Sequence, residues 1–283
     1  LGGFLVLGAN NLWKLPLDLG FDQDGHFKYI EYVARTWRVP LATEGWQMFQ
    51  SPLYYLISAP LFRLLESVFP FDTAVRLLRI IPLLCGAAQI ELCYRTARRI
   101  FPERGDLQIF ATILGGWMPM NIYMSQYISN EPLAGLLIGC VMYMTLPLFR
   151  DPAAFRVRQC VPLGFMIGLA LLAKVTALLV VFPPVLGIAR AAFSHDGPVR
   201  RRAEQTCAAL ALLAGVAGLA AGWYYARNWI ELGRPFIGGW DASRGIEWWQ
   251  DPGYRTPAQL LAFGDALIRP VFSGIYSFWD GLY

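Results

Sequence analysis

Two aspartates separated by one residue, Asp22 and Asp24, lie in the stretch Gly20-Phe-Asp-Gln-Asp-Gly-His26, where an apolar run ends. A carboxylate at that position can serve as the N-cap of the helix that follows, because helix N-termini favour negative charge. A pair also suits a general base, or the ligands of a divalent metal. Tyr29 follows one turn after His26. Gln50-Ser-Pro-Leu-Tyr-Tyr55 reads as a helix start with Pro52 in the first turn, and Tyr54 and Tyr55 read as aromatic-belt residues. Glu131 before Pro132 marks another helix start, capped by Asn130 or Ser129; its functional alternative requires it to point at Asp22 and Asp24. Lys174 interrupts an uncharged run, and an ionisable residue at membrane depth marks function unless it snorkels from the end of a span. Arg227 wants an anionic partner, either a lipid phosphate gripped by its guanidinium fork or Glu231 one turn on.

The composition says what must hold these groups in place. Of 283 residues, 56% are hydrophobic and only 16% are charged, against about 25% in soluble domains. The apolar residues come in long blocks, which points to a bilayer rather than to a soluble core, and to an all-α integral membrane protein with a single transmembrane domain over 1–283. Five cysteines without metal-type spacing and two histidines argue against a zinc site. There is no Walker-type or GxGxxG phosphate loop leading into a helix, and no nucleic-acid partner is expected. The chain begins at Leu1 and stops in an aromatic, apolar run, so both ends read as cut from something longer.

Spans are expected at 73–94, 107–130, 132–149 and 205–226, with two shorter runs, 159–173 and 175–189, on either side of Lys174. Residues 1–12 read as the tail of an earlier span. Arginine clusters follow alternate spans: Arg95, Arg98, Arg99 and Arg104; Arg150, Arg156 and Arg158; Arg200, Arg201 and Arg202. The positive-inside rule places these loops in the cytoplasm, and the acids, Lys174 and Arg227 outside. That alternation holds only if 52–69 does not cross. Residues 18–72 then form one large external loop with an interfacial helix at 25–38, while 52–69 lies in the outer interface or re-enters without crossing.

The order of these pieces resembles the bacterial lipid-carrier-dependent glycosyltransferases of the GT-C superfamily, relatives of protein O-mannosyltransferase and aminoarabinose transferase. The resemblance covers nearly the whole chain. It is carried by Asp22-Gln-Asp24-Gly-His26 with Tyr29, by 50–55, 76–82 ahead of Arg98-Arg99, 125–132, Leu171-Leu-Ala-Lys-Val-Thr176 and 223–228, and by Ser277-Phe-Trp279. It departs from the common pattern in that Gln23 separates the two acids and Ser51 replaces a frequent proline. The resemblance implies a multi-span GT-C-like helical bundle in the bacterial inner membrane, with a periplasmic active site under the first loop. It further implies inverting transfer of a sugar from a polyprenyl-phosphate carrier to an acceptor. Asp22 or Asp24 would be the general base, or a metal ligand as in some members; Glu131 matches the acid of the second external turn. Lys174 and Arg227 match basic positions near the carrier phosphate, and His26, Tyr54 and Tyr55 fall among the substrate-binding positions. The reading from another class is a non-catalytic GT-C-like subunit with a structural role in a larger membrane assembly. A transporter, third in rank, would place ionisable groups near the midplane, where only Lys174 is a candidate.

Overall fold

The computed structural model describes residues 1–17, 20, 22–194, 198–237, 258, 261–264 and 267–268. Among these the chain is helical and has no strands. Its helices are α1 (Gly2–Lys14), α2 (Gln23–Thr36), α3 (Leu53–Glu66), α4 (Phe71–Leu78), α5 (Ile80–Ile100), α6 (Gly105–Gly116), α7 (Pro119–Met124), α8 (Glu131–Arg150), α9 (Cys160–Ala173), α10 (Phe182–Phe193) and α11 (Val199–Leu232). Four helical stretches are long and apolar enough to cross a membrane: Phe71–Ile100, Glu131–Arg150, Val175–Phe193 and Val199–Leu232. Their outer faces carry exposed Leu84, Leu179, Leu186 and Leu219, as surfaces that meet lipid rather than water would.

Residues 107–130, expected as one span, are instead broken. Helix α6 stops at Gly116, Met118 is extended (φ −59°, ψ 121°), and Pro119 opens α7. The proline ring disfavours a helical conformation in the residue before it, so an uncharged run of spanning length becomes two short helices. Lys174 also interrupts the chain, as the sequence indicates. It is extended (φ −160°, ψ 135°), ends α9, and is followed by a 3-10 segment, Val175–Val181, that leads into α10.

The stretch 18–72 carries two helices where two are expected. On α2, His26, Tyr29, Ile30 and Val33 form a buried stripe at helical spacing, while the ion pairs Asp24–Lys28 and Glu31–Arg35 face outward. That stripe packs on Tyr54, Tyr55, Ser58, Ala59 and Phe62 of α3. The rings of Tyr29 and Tyr55 stack at 3.6 Å and 9°. Phe62 meets Phe27 edge-on at 5.3 Å. At 14 residues, or roughly 21 Å, α3 is shorter than the roughly 30 Å hydrocarbon layer.

Helix α9 packs closely on α11. A Cβ on Gly164 would lie 2.6 Å from the Leu213 carbonyl oxygen, and one on Gly168 3.0 Å from that of Ala217. Between lipid-embedded helices, tight packing takes the place of the hydrophobic drive, and small residues four apart allow the backbones to approach. Substituting Gly164→Val should force the two helices apart and cost about 1–3 kcal/mol, read as a lowered melting temperature in detergent. Gly215→Ala, where an added Cβ meets nothing within 4 Å, is the control and should leave stability unchanged or slightly raised.

Candidate functional site

Six of the segments singled out in the sequence meet at one end of the bundle, opposite the arginine-rich connections. The joint begins with Gln23. Its side chain donates to the Leu17 carbonyl, accepts from the Ile128 amide (3.2 Å) and receives Arg79 at 3.5 Å. Arg79, only 1% exposed, also donates to the carbonyls of Leu15 (3.0 Å) and Pro16 (2.6 Å), just past the C-terminus of α1. Arg76 joins it on Trp13 and Leu15. Two guanidinium groups therefore satisfy the terminal carbonyls of α1, where a helix dipole favours positive charge. In the sequence Arg76 and Arg79 lie near the start of the apolar stretch 73–94 and Gln23 separates the two acids, so none of the three stands out. The available signal was an arginine with no acidic neighbour, eight residues inside an apolar helical stretch.

Asp22 is exposed, with a left-handed backbone (φ 57°, ψ 16°), immediately before α2. It stands at the N-cap position, but its side chain makes no cap hydrogen bond. Gly20, beside it, has φ +147° and lies under the Tyr127 ring, which a Cβ there would strike at 2.5 Å; only glycine fits that turn. Asp24 is instead held by Lys28 at 2.6 Å on the outer face of α2, its side chain 76% exposed. Its pairing removes it from the centre of the site, and the two aspartates are not a matched pair.

Glu131 is paired with Lys174 rather than with the aspartates. The Ser129 hydroxyl, 3.3 Å from the Glu131 amide, serves the start of α8. Asn130, freed from capping, donates to the Ala173 carbonyl (3.0 Å) and to Gln50 (3.3 Å). These bonds fix the Lys174 break against the start of α8. Tyr225 donates to the Leu171 carbonyl at 2.7 Å, and Tyr224 to the carbonyls of Phe49 (3.2 Å) and Gln50 (3.1 Å), tying α11 to the same floor. An open apolar groove of about 430 Å³, lined by Met118, Met120 and Met124 with Gln89 and Glu131, leads away from the ion pair.

Arg227 reaches across the bundle instead of pairing with Glu231. It donates to the carbonyls of Val39 (2.8 Å) and Pro40 (3.1 Å), pinning the chain between α2 and α3. His26, Tyr54 and Tyr55 are buried beneath the site, so they support it rather than line an open surface. His26 Nδ1 and the Tyr55 hydroxyl share a hydrogen bond of 2.7 Å. Burial, reinforced by the charge on Lys174, pulls the His26 pKa down from 6.5 to about 3, so its ring is neutral near neutrality. Burial likewise raises the phenols of Tyr29 and Tyr55, which keep their protons. No group of three or more His, Cys, Asp or Glu that could hold a metal occurs among the described residues. Ser277-Phe-Trp279 lies outside the described residues. Comparison with protein-family models, curated proteins and solved structures found no match.

The neutral, buried His26 has a consequence in acid. An unfolded histidine binds its proton near pH 6.5, whereas the folded one does so only near 3. Its contribution to stability is therefore intact above 6.5 and falls as the pH drops from there toward 3. Between pH 6.5 and 5 the loss should be about 2 kcal/mol, visible as a falling melting temperature, and His26→Gln should lack that component.

Proposed function

We propose that this protein is a membrane glycosyltransferase that moves a sugar from a polyprenyl-phosphate carrier to an acceptor on the outer face of the bacterial inner membrane, with inversion. The observation that carries this reading is the Lys174–Glu131 pair, set at the mouth of a methionine-lined groove on the same end of the bundle as Asp22. A polyprenyl chain needs an apolar channel that ends at a cation, and the groove and Lys174 supply one.

In the proposed reaction, the Asp22 carboxylate removes a proton from the acceptor hydroxyl or amine. The acceptor attacks the anomeric carbon from the side opposite the phosphate. The bond from that carbon to the phosphate oxygen breaks, and the electron pair leaves on the phosphate. Lys174 stabilises that charge by exchanging its carboxylate partner for the departing group. Arg227 is a positioning residue, because its guanidinium is occupied by the Val39 and Pro40 carbonyls. That occupancy favours the second reading, a non-catalytic subunit of a larger assembly, since it leaves Lys174 without a second cation for the phosphate.

Native mass spectrometry of the detergent-extracted chain, asking whether a polyprenyl phosphate travels with it, separates the two. The transferase reading expects such a lipid in the wild type, lost in Lys174→Ala. With a polyprenyl-phosphate sugar as donor, Asp22→Asn should lower turnover by roughly 10²–10⁴-fold and leave the melting temperature unchanged. Asp24→Asn should change turnover little. Absence of the carrier, or indifference of turnover to Asp22→Asn, favours the structural subunit.

A further inference from the structure

The arginine-rich end of the bundle carries a hollow that the proposed reaction does not use. It has a volume of about 220 Å³ and lies between Phe155 and Arg156, Ile188 and Ala191 of α10, and Gln205 and Thr206 of α11. Among the described residues the Arg156 guanidinium meets protein through Nη1, which donates to the carbonyls of Ala153 (3.3 Å) and Phe155 (2.9 Å). Arg202 stands one turn before Thr206 on α11, and the Thr206 hydroxyl donates to its carbonyl at 2.8 Å. The Arg202 Nε is buried and has no hydrogen-bond partner. A buried guanidinium N–H without an acceptor is costly, and a phosphate oxygen is the acceptor it suits best.

A second opening lies between the same two helices, nearer the middle of the bundle. One turn further along both helices lies an apolar groove of about 400 Å³, lined by Val181, Val185, Leu210, Leu213, Ala217 and Gly218. A Cβ on Gly218 would meet nothing within 4 Å, so the groove is open there. From Gln205 to Gly218 the two openings together span about 20 Å along α11, at 1.5 Å per residue, which exceeds the roughly 15 Å depth of one leaflet. A headgroup-sized hollow lined by Arg156, with Arg202 one turn before its Gln205–Thr206 wall, and an apolar groove one turn further along the same helices together match a single amphiphile.

We propose that the two openings together bind an anionic phospholipid, its phosphate held by Arg156 and Arg202 and one acyl chain lying against α11. The site stands at the opposite end of the bundle from Asp22 and Lys174, so its test is independent of the carrier.

The full chain, stripped of lipid in detergent, is titrated with phosphatidylglycerol and with phosphatidylcholine and read by native mass spectrometry. The expected result is at least a tenfold preference for phosphatidylglycerol. Arg156→Gln combined with Arg202→Gln should abolish that preference, and Gly218→Leu, which fills the groove, should weaken binding of both lipids about tenfold. Millimolar inorganic phosphate should not displace the lipid. Arg156→Gln alone, on an exposed loop, should reduce the preference if the double variant fails to fold. Equal binding of the two lipids, a preference that survives the arginine substitutions, or wild-type binding in Gly218→Leu would overturn the proposal. Displacement by phosphate would reduce the site to one for free anions and overturn it equally.

Discussion

The site end of this bundle depends on a guanidinium with almost no access to solvent. Arg79 sits eight residues inside a helical stretch of spanning length; its two terminal nitrogens are held by two carbonyls beyond α1 and by Gln23, while its buried Nε has no partner. In a low-dielectric setting such a charge is tolerable only with its hydrogen bonds in place, so the groups that make them are held to one geometry. Through Gln23 that geometry reaches the Ile128 amide, and through the turn after it, Glu131 and the start of α8. The position of the Lys174–Glu131 pair relative to Asp22 is thus set by a buried arginine that touches neither.

The two ends of the molecule solve different problems with the same residue type. At the site end, Arg76, Arg79 and Arg227 are spent on backbone carbonyls, where they close helix ends and pin the segment between α2 and α3. At the other end, among the described residues, Arg156 meets protein through Nη1 and Arg202 has a buried N–H without an acceptor. At the site end Lys174 is held by the Glu131 carboxylate rather than by a backbone carbonyl.

Much of this was legible in the sequence. The apolar blocks, the break at Lys174, the two helices in 18–72 and the start of α8 at Glu131 follow from hydropathy, charge placement and proline rules, which act over a few residues. The block 107–130 misled because hydropathy counts charges and not backbone angles: one proline after Met118 divides a run whose composition is that of a span. Asp22 and Asp24 looked equivalent by spacing. They differ because Lys28 lies one helical turn from Asp24, while among the described residues no such partner reaches Asp22.

What the sequence alone determined is therefore local: which segments are apolar enough to span, where helices begin, and which residue types collect near each boundary. Which partner each charge takes was decided only by tertiary structure. Arg227 has Glu231 one turn away along the chain, yet it reaches Val39 and Pro40; Glu131 has two aspartates in its neighbourhood by topology, yet it pairs with Lys174. The physical reason is that hydrogen bonds and ion pairs depend on distance in space, and packing α11 against α9 and α3 against α2 brings together groups that lie up to 188 positions apart.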